Sequence, residues 1–284
     1  MPSLYKSEIG KKEIISLYDS KLEELQIAYD STFIDTSFGK THVLVVGDKS
    51  KPPLMLIHGS NGCAPIALET YPNLTQKYQV FAVDVLAQPN KSAETRLSMK
   101  DNTYGEWINE ILTFFKLEEV TLVGFSFGGL IILKTLLANE NRVKEVFLAA
   151  PAFIVNGNPL KALFKIFIPM KRYMKNQKSK FLQKFLNELF SEKDTFALAY
   201  LAKVFVYFEM DFTPVPVIKT AEAKKITTPI TLVAAGQDLM FPGEKMLKRA
   251  KKIFPTLKGS VLLENSKHVQ DRKGNNLIEH MILE

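Results

Sequence analysis

A serine, an aspartate and a histidine that could together cleave an acyl bond occur in this chain in that order, as Ser126, Asp238 and His268. Ser126 is the centre of Gly124-Phe125-Ser126-Phe127-Gly128. A serine hydroxyl is a poor nucleophile near neutral pH, so it needs an imidazole within hydrogen-bond reach to take its proton. A carboxylate must then hold that imidazole in one tautomer and stabilise the imidazolium. His268 and Asp238 are the candidates for those two tasks. The chemistry also needs donors for the oxyanion that develops on the attacked carbonyl. The amide of Phe127, just after the serine, is one candidate. A second small-residue loop, His58-Gly59-Ser60-Asn61-Gly62, offers another from the backbone of Ser60, with Asn61 as the lesser alternative.

A random G-x-S-x-G arises about once in ten chains of this length, so the elements around the motif decide its meaning. Before it runs Glu119-Val-Thr-Leu-Val-Gly124, short, apolar and β-branched as a buried parallel strand should be; after it, Gly129–Ala138 reads as an apolar helix. That is the context of a nucleophile elbow, a strained strand-to-helix turn whose glycines let strand and helix approach. Leu54–His58 is likewise a strand leading into its loop. Ile230–Gly236 is a strand running directly into Gln237-Asp238, and Gly259–Glu264 a final strand before the loop that carries His268. All three side chains therefore fall just beyond strand C-terminal ends.

The rest of the chain alternates in the same way. After a helix-like stretch at Ser7–Gln26 and a hairpin at Tyr29–Val46, apolar strand runs and helical runs succeed one another to Ala149, which predicts a mostly parallel sheet with helices on both faces. The alternation stops after Pro151. From Phe153 to about Pro216 the sequence is helical and rich in Phe, Tyr, Met and Lys, with Pro159, Pro169, Pro214 and Pro216 as punctuation. The organisation expected is a helical N-terminal extension at 1–27, an α/β core at 28–152 and 217–284, and a helical cap at 153–216. Because the cap follows the sixth strand's C-terminal end, it should overhang the serine. Its aromatics, among them Phe164, Phe167, Phe205, Tyr207 and Phe208, read mainly as cap core, with about one in three touching substrate.

On these motifs and their order the chain resembles the α/β-hydrolase superfamily, over nearly its whole length, and within it bacterial carboxylesterase-like members with a helical cap. The resemblance implies the α/β-hydrolase fold, an ester hydrolase, and His58 with Gly59 as the support of the oxyanion loop. Asp84-Val-Leu-Ala-Gln-Pro-Asn-Lys-Ser92 resembles the family's loop after the fourth strand, with Ala87 and Pro89 where glycine is usual; Lys267 stands where a glycine usually precedes the catalytic histidine. Haloalkane dehalogenases and epoxide hydrolases of this fold carry aspartate at the elbow, so Ser126 argues against both. Thioesterases, lactonases, carbon–carbon bond hydrolases and slow ligand sensors share the triad and remain alternatives.

Composition fits a globular protein with one large core: 284 residues, 46% hydrophobic and 24% charged. A lone cysteine, Cys63, excludes an internal disulfide and reads as a small buried residue. His42 lies in the early hairpin and His280 in a terminal helical run, which leaves His268 as the base. No metal or organic cofactor is expected, only a small-molecule ester. The N-terminus lacks an apolar leader pattern, so the expected location is the cytoplasm. The net charge of +7 is concentrated in Lys161–Lys184, which holds eight basic residues and no acid until Glu188. This reads as a solvated cap face, with attraction of an anionic substrate or an acidic membrane surface as the sharper readings. No nucleic-acid-binding module accompanies the charge.

Overall fold

The structure, a computed structural model, describes residues 3–284, so the first two residues of the expected N-terminal extension lie outside it. Its elements run α1 (Glu8–Glu24), β1 (Tyr29–Thr36), β2 (Gly39–Val46), β3 (Pro53–Ile57), α2 (Ala64–Thr70), β4 (Gln79–Val83), α3 (Thr103–Phe114), β5 (Val120–Phe125), α4 (Phe127–Ala138) and β6 (Val143–Ala149). There follow α5 (Pro159–Ala162), a π-helical turn at Leu163–Phe167, α6 (Ile168–Asn176), α7 (Ser179–Leu189) and α8 (Thr195–Tyr207). The chain returns through α9 (Thr220–Ala223), β7 (Ile230–Ala235), α10 (Gly243–Ile253), β8 (Leu257–Leu263) and α11 (Arg272–Leu283).

Among the described residues the strands form a single sheet in the order β1-β2-β4-β3-β5-β6-β7-β8. β1 and β2 form an antiparallel hairpin, β2 pairs antiparallel with β4, and the remaining strand pairings are parallel. Alternation along the strands splits the core in two. In β3, Met55 and Ile57 join the cluster beneath α3, α4 and α10, whereas Leu54 and Leu56 join the one beneath α1, α2 and α11. The chain moves from β3 outward to β4, then crosses back to place β5 on the other side of β3. In open α/β sheets, such a reversal opens a crevice beyond the strand ends. Both candidate loops, 58–62 and 126–128, begin there.

The helices between β6 and β7 have an apolar cluster of their own, including Met170, Tyr173, Leu182, Phe185 and Phe205. Tyr200 and Val204 of α8, with Phe208 just after it, also join the core cluster beneath α1, α2 and α11. The N-terminal helix joins the two parts. Gly10 lies so close to the Tyr207 ring that a Cβ would be 2.4 Å from it, and Lys6 N–H donates to Tyr207 O at 2.8 Å. No helix of the described residues is long and apolar enough to cross a membrane.

Candidate active site

Ser126 closes β5 and opens α4 in a backbone conformation that a side chain rarely tolerates, φ 53° and ψ −111°. Its neighbours show why glycine is needed. A Cβ on Gly128 would stand 2.2 Å from Ile57 O of β3, one on Gly129 would meet Pro151 Cβ at 2.4 Å, and one on Gly124 would meet the Gly128 carbonyl carbon at 2.7 Å. The elbow is therefore held by close backbone packing on both flanks. The Ser126 N–H donates to Ala149 O, and Ser126 O accepts from Ala152 N–H, both at 2.9 Å.

The three distant side chains converge. Ser126 Oγ lies 2.9 Å from His268 Nε2, and His268 Nδ1 lies 2.7 Å from Asp238 Oδ2. A carboxylate only accepts, so Nδ1 carries the proton and Nε2 is left to accept from the serine hydroxyl. Asp238 is buried, and its other oxygen accepts from the amides of Met240 (2.7 Å) and Phe241 (3.0 Å). Burial by itself would raise its pKa. The charge and hydrogen bond of His268, with those two amides, outweigh it and hold the carboxyl below its ordinary value. The imidazole packs between the rings of Phe125 and Phe241, at centroid distances of 5.1 and 5.5 Å.

The loop at 58–62 is the expected source of the second oxyanion donor, from Ser60 ahead of Asn61. Asn61 N–H is engaged by Gln88 Oε1 at 2.7 Å, and Gly62 N–H by Gly59 O at 3.2 Å. Among the described residues the amides of Ser60 and Phe127 have no backbone or side-chain acceptor, so these two are the ones available to a ligand. His58 fastens the loop from beneath: Nδ1–H donates to Gly59 O at 2.7 Å, and Nε2 accepts from Val85 N–H at 3.0 Å. Full burial disfavours its charged form and lowers its pKa, which suits a neutral ring with one donor and one acceptor. The loop at 84–92 keeps its turn without the usual glycines because Ala87 itself takes a left-handed φ of 55°. Gln88, the residue that engages Asn61, comes from that loop; nothing in its local sequence signals the task.

The other titratable candidates lie elsewhere. Asp84 is buried against His42, at 2.8 Å. Asp211 and Glu264 are exposed, and His280 pairs with Glu284. Burial pushes the Cys63 thiol far up, leaving it unreactive.

A cleft of about 990 Å³ opens beside the triad. Gly59, Ser60, Phe125 and Val269, the neighbours of the candidate groups in chain or space, line it; Ser126 and His268 are not themselves in its wall. Its aromatic wall is Tyr71, Phe125, Phe190 and Tyr200. None of the five cap aromatics singled out from sequence lines it: Phe205 and Phe208 are core, Phe164 is exposed, Phe167 packs on the cluster of the helices between β6 and β7, and Tyr207 packs on the core cluster that includes α1. The basic residues of Lys161–Lys184 are exposed and do not reach the cleft, whose charged lining is Glu69, Glu192, Asp194, Arg272 and Glu279. Several find partners within their own region instead: Lys171 lies over the Phe212 ring, Arg172 and Lys180 lie over Phe181, and Lys165 pairs with Glu188.

A family model described as the alpha/beta hydrolase fold matches residues 52–196, just over half of the chain. The chain belongs to the α/β-hydrolase fold family. Among curated proteins it is 26% identical over 271 residues to an uncharacterized carboxylesterase, nap, of Bacillus subtilis, covering 89% of this chain and 85% of that one. It is 32% identical over 138 residues to carboxylesterase YbfK of the same organism, 48% and 46% of the respective chains. Among solved structures, naproxen esterase (carboxylesterase NP) from B. subtilis superposes with a TM-score of 0.83 at 21% identity, covering 99% of both chains. At that identity the likeness concerns the fold.

Proposed function

We propose that this α/β hydrolase is a carboxylesterase working through an acyl-enzyme, with Ser126 as nucleophile, His268 as general base and acid, and Asp238 as the group that orients and stabilises the imidazolium. The continuous hydrogen-bonded path from Ser126 Oγ through His268 to Asp238 carries this reading, set beside two free amides. Relatives named carboxylesterase in Bacillus subtilis support the ester as the bond cleaved. The serine proton passes to Nε2 as Oγ attacks the ester carbonyl. The Ser60 and Phe127 amides stabilise the oxyanion, a contribution of about 3 kcal/mol per donor in comparable sites. His268 then protonates the departing alkoxide, and water, activated by the same imidazole, releases the acid.

The helices at 153–216 serve as the cap, and the cleft beside Ser60 and Phe125 takes the larger part of the substrate. Its size suits a medium-sized, mainly apolar group. The test is a p-nitrophenyl ester series of increasing acyl length combined with fluorophosphonate labelling. Multiple turnover and a single label on the peptide containing Ser126 are expected. A protein that hydrolyses none of the series and takes no label at Ser126 is not an esterase of this kind.

A further inference from the structure

The loop that bears His268 is held from outside the core by the cap. At the end of α7 the chain leaves the helix through Phe190 and Ser191, which run parallel to Val269 as an isolated β-bridge. Val269 N–H donates to Leu189 O at 2.8 Å and Ser191 N–H to Val269 O at 3.0 Å. The Ser191 hydroxyl spans the histidine: its Oγ accepts from Lys267 N–H at 2.8 Å and donates to Val269 O at 2.8 Å. It also lies 3.3 Å from Ser266 Oγ. Two further ties bracket these, from Lys267 Nζ to Asn187 O and from Arg272 N–H to Glu192 Oε1 (2.7 Å). The lysine that replaces the usual glycine before the histidine thus uses both its amide and its side chain to grip the cap.

Resting on the esterase reading above, we propose that Ser191 is a positioning residue for catalysis. Through one hydroxyl on the two residues flanking His268, the cap fixes where Nε2 stands relative to Ser126 Oγ. The core supplies less of this restraint on its own. Within 264–270, Gln270 donates its side-chain amide to the loop's own His268 O, and Gln237 N–H donates to Ser266 O, but neither grips both flanks of the histidine. Catalytic geometry tolerates little displacement, and a shift of about 1 Å can cost a hundredfold in rate. Phe190, next to Ser191, forms part of the cleft wall, so a ligand filling the cleft leans on the same strap that holds the base.

Ser191→Ala, Ser191→Thr and a cap control, Lys165→Gln, are compared with the parent full-length protein. For Ser191→Ala the expected result is a fall in kcat of about tenfold with KM within about twofold, and a matching fall in the rate of fluorophosphonate labelling at Ser126. The downfield proton resonance of the His268–Asp238 hydrogen bond should broaden, while Tm stays within about 2 °C because Ser191 is only half-buried. Ser191→Thr keeps the hydroxyl and should restore kcat to within about threefold; Lys165→Gln should change nothing. Unchanged kcat and labelling in Ser191→Ala, in a protein that Ser126→Ala inactivates, would overturn the strap and leave the esterase reading intact. So would a loss that Thr fails to rescue and that comes with a lowered Tm and an unaltered resonance. A Ser126→Ala protein that remains active would remove the esterase reading itself.

Discussion

Among the described residues two Ser–His–Asp arrays occur, and their distances scarcely differ. In one, Ser126, His268 and Asp238 are linked at 2.9 and 2.7 Å; in the other, Ser31, His42 and Asp84 are linked at 2.8 and 2.8 Å. Hydrogen-bond geometry alone does not separate them. Ser31 sits mid-strand in β1, at the sheet's edge, in extended backbone. It has no helix N-terminus behind it and no elbow to lift its hydroxyl. His42 and Asp84 are completely buried, with Tyr18 OH 3.4 Å from the ring and the Ala64 N–H donating to the carboxylate at 2.8 Å. That array ties the hairpin, the loop after β4 and the start of α2 together. Around Ser126, the strain of the elbow and the two free amides supply what the other array lacks. On the reading proposed above, what sets the Ser126 array apart is the pair of preorganised donors for an oxyanion and not its hydrogen-bond distances.

The contrast is sharpest in the serines. Ser126→Ala should lower kcat by about 10⁵ or more with the fold unchanged, whereas Ser31→Ala should leave ester turnover intact. Fluorophosphonate bound at Ser31, with activity lost in Ser31→Ala, would reverse the assignment. Asp238→Asn leaves the imidazole in the wrong tautomer and should cost about 10⁴ in kcat, measured under single-turnover conditions. The corresponding change in the other array acts on stability. His42→Ala strands a buried carboxylate and should lower unfolding free energy by about 3 kcal/mol, read from urea midpoints, with kcat nearly kept.

Smaller effects refine the picture. Gln88→Ala frees the Asn61 amide and loosens the loop that presents Ser60, so kcat should drop about tenfold with KM little changed. The pH dependence has a definite sign. His58 has a depressed pKa in the fold, so its contribution to stability is complete above the ordinary value of about 6.5 and is lost as pH falls through the depressed one. Protonation at Nε2 would also remove the acceptor for Val85 N–H. Tm should therefore decline on acidification from pH 7, and His58→Gln should flatten that decline. A slope unchanged by the substitution would place the pH sensitivity in other groups.

The sequence by itself determined the features that live within a few residues: the elbow Gly124–Gly128, the strand ends that carry Asp238 and His268, the His58-Gly59 loop, and the helical stretch after Pro151. Each is a local preference for a turn, a strand or a helix, and local preference is written in neighbouring residue types. It did not show which cap residues would face the cleft, that the basic face would turn away from it, or that Gln88 would engage the Asn61 amide. Nor did it distinguish Ser191 from any other serine in a helical insertion, or reveal the second array at Ser31. Those outcomes depend on contacts between residues distant in the chain, such as Ser191 with Lys267 and His42 with Asp84. Packing in three dimensions alone decides such contacts, because the free energy that selects them comes from burial and from satisfying polar groups across elements, which no short stretch of sequence encodes.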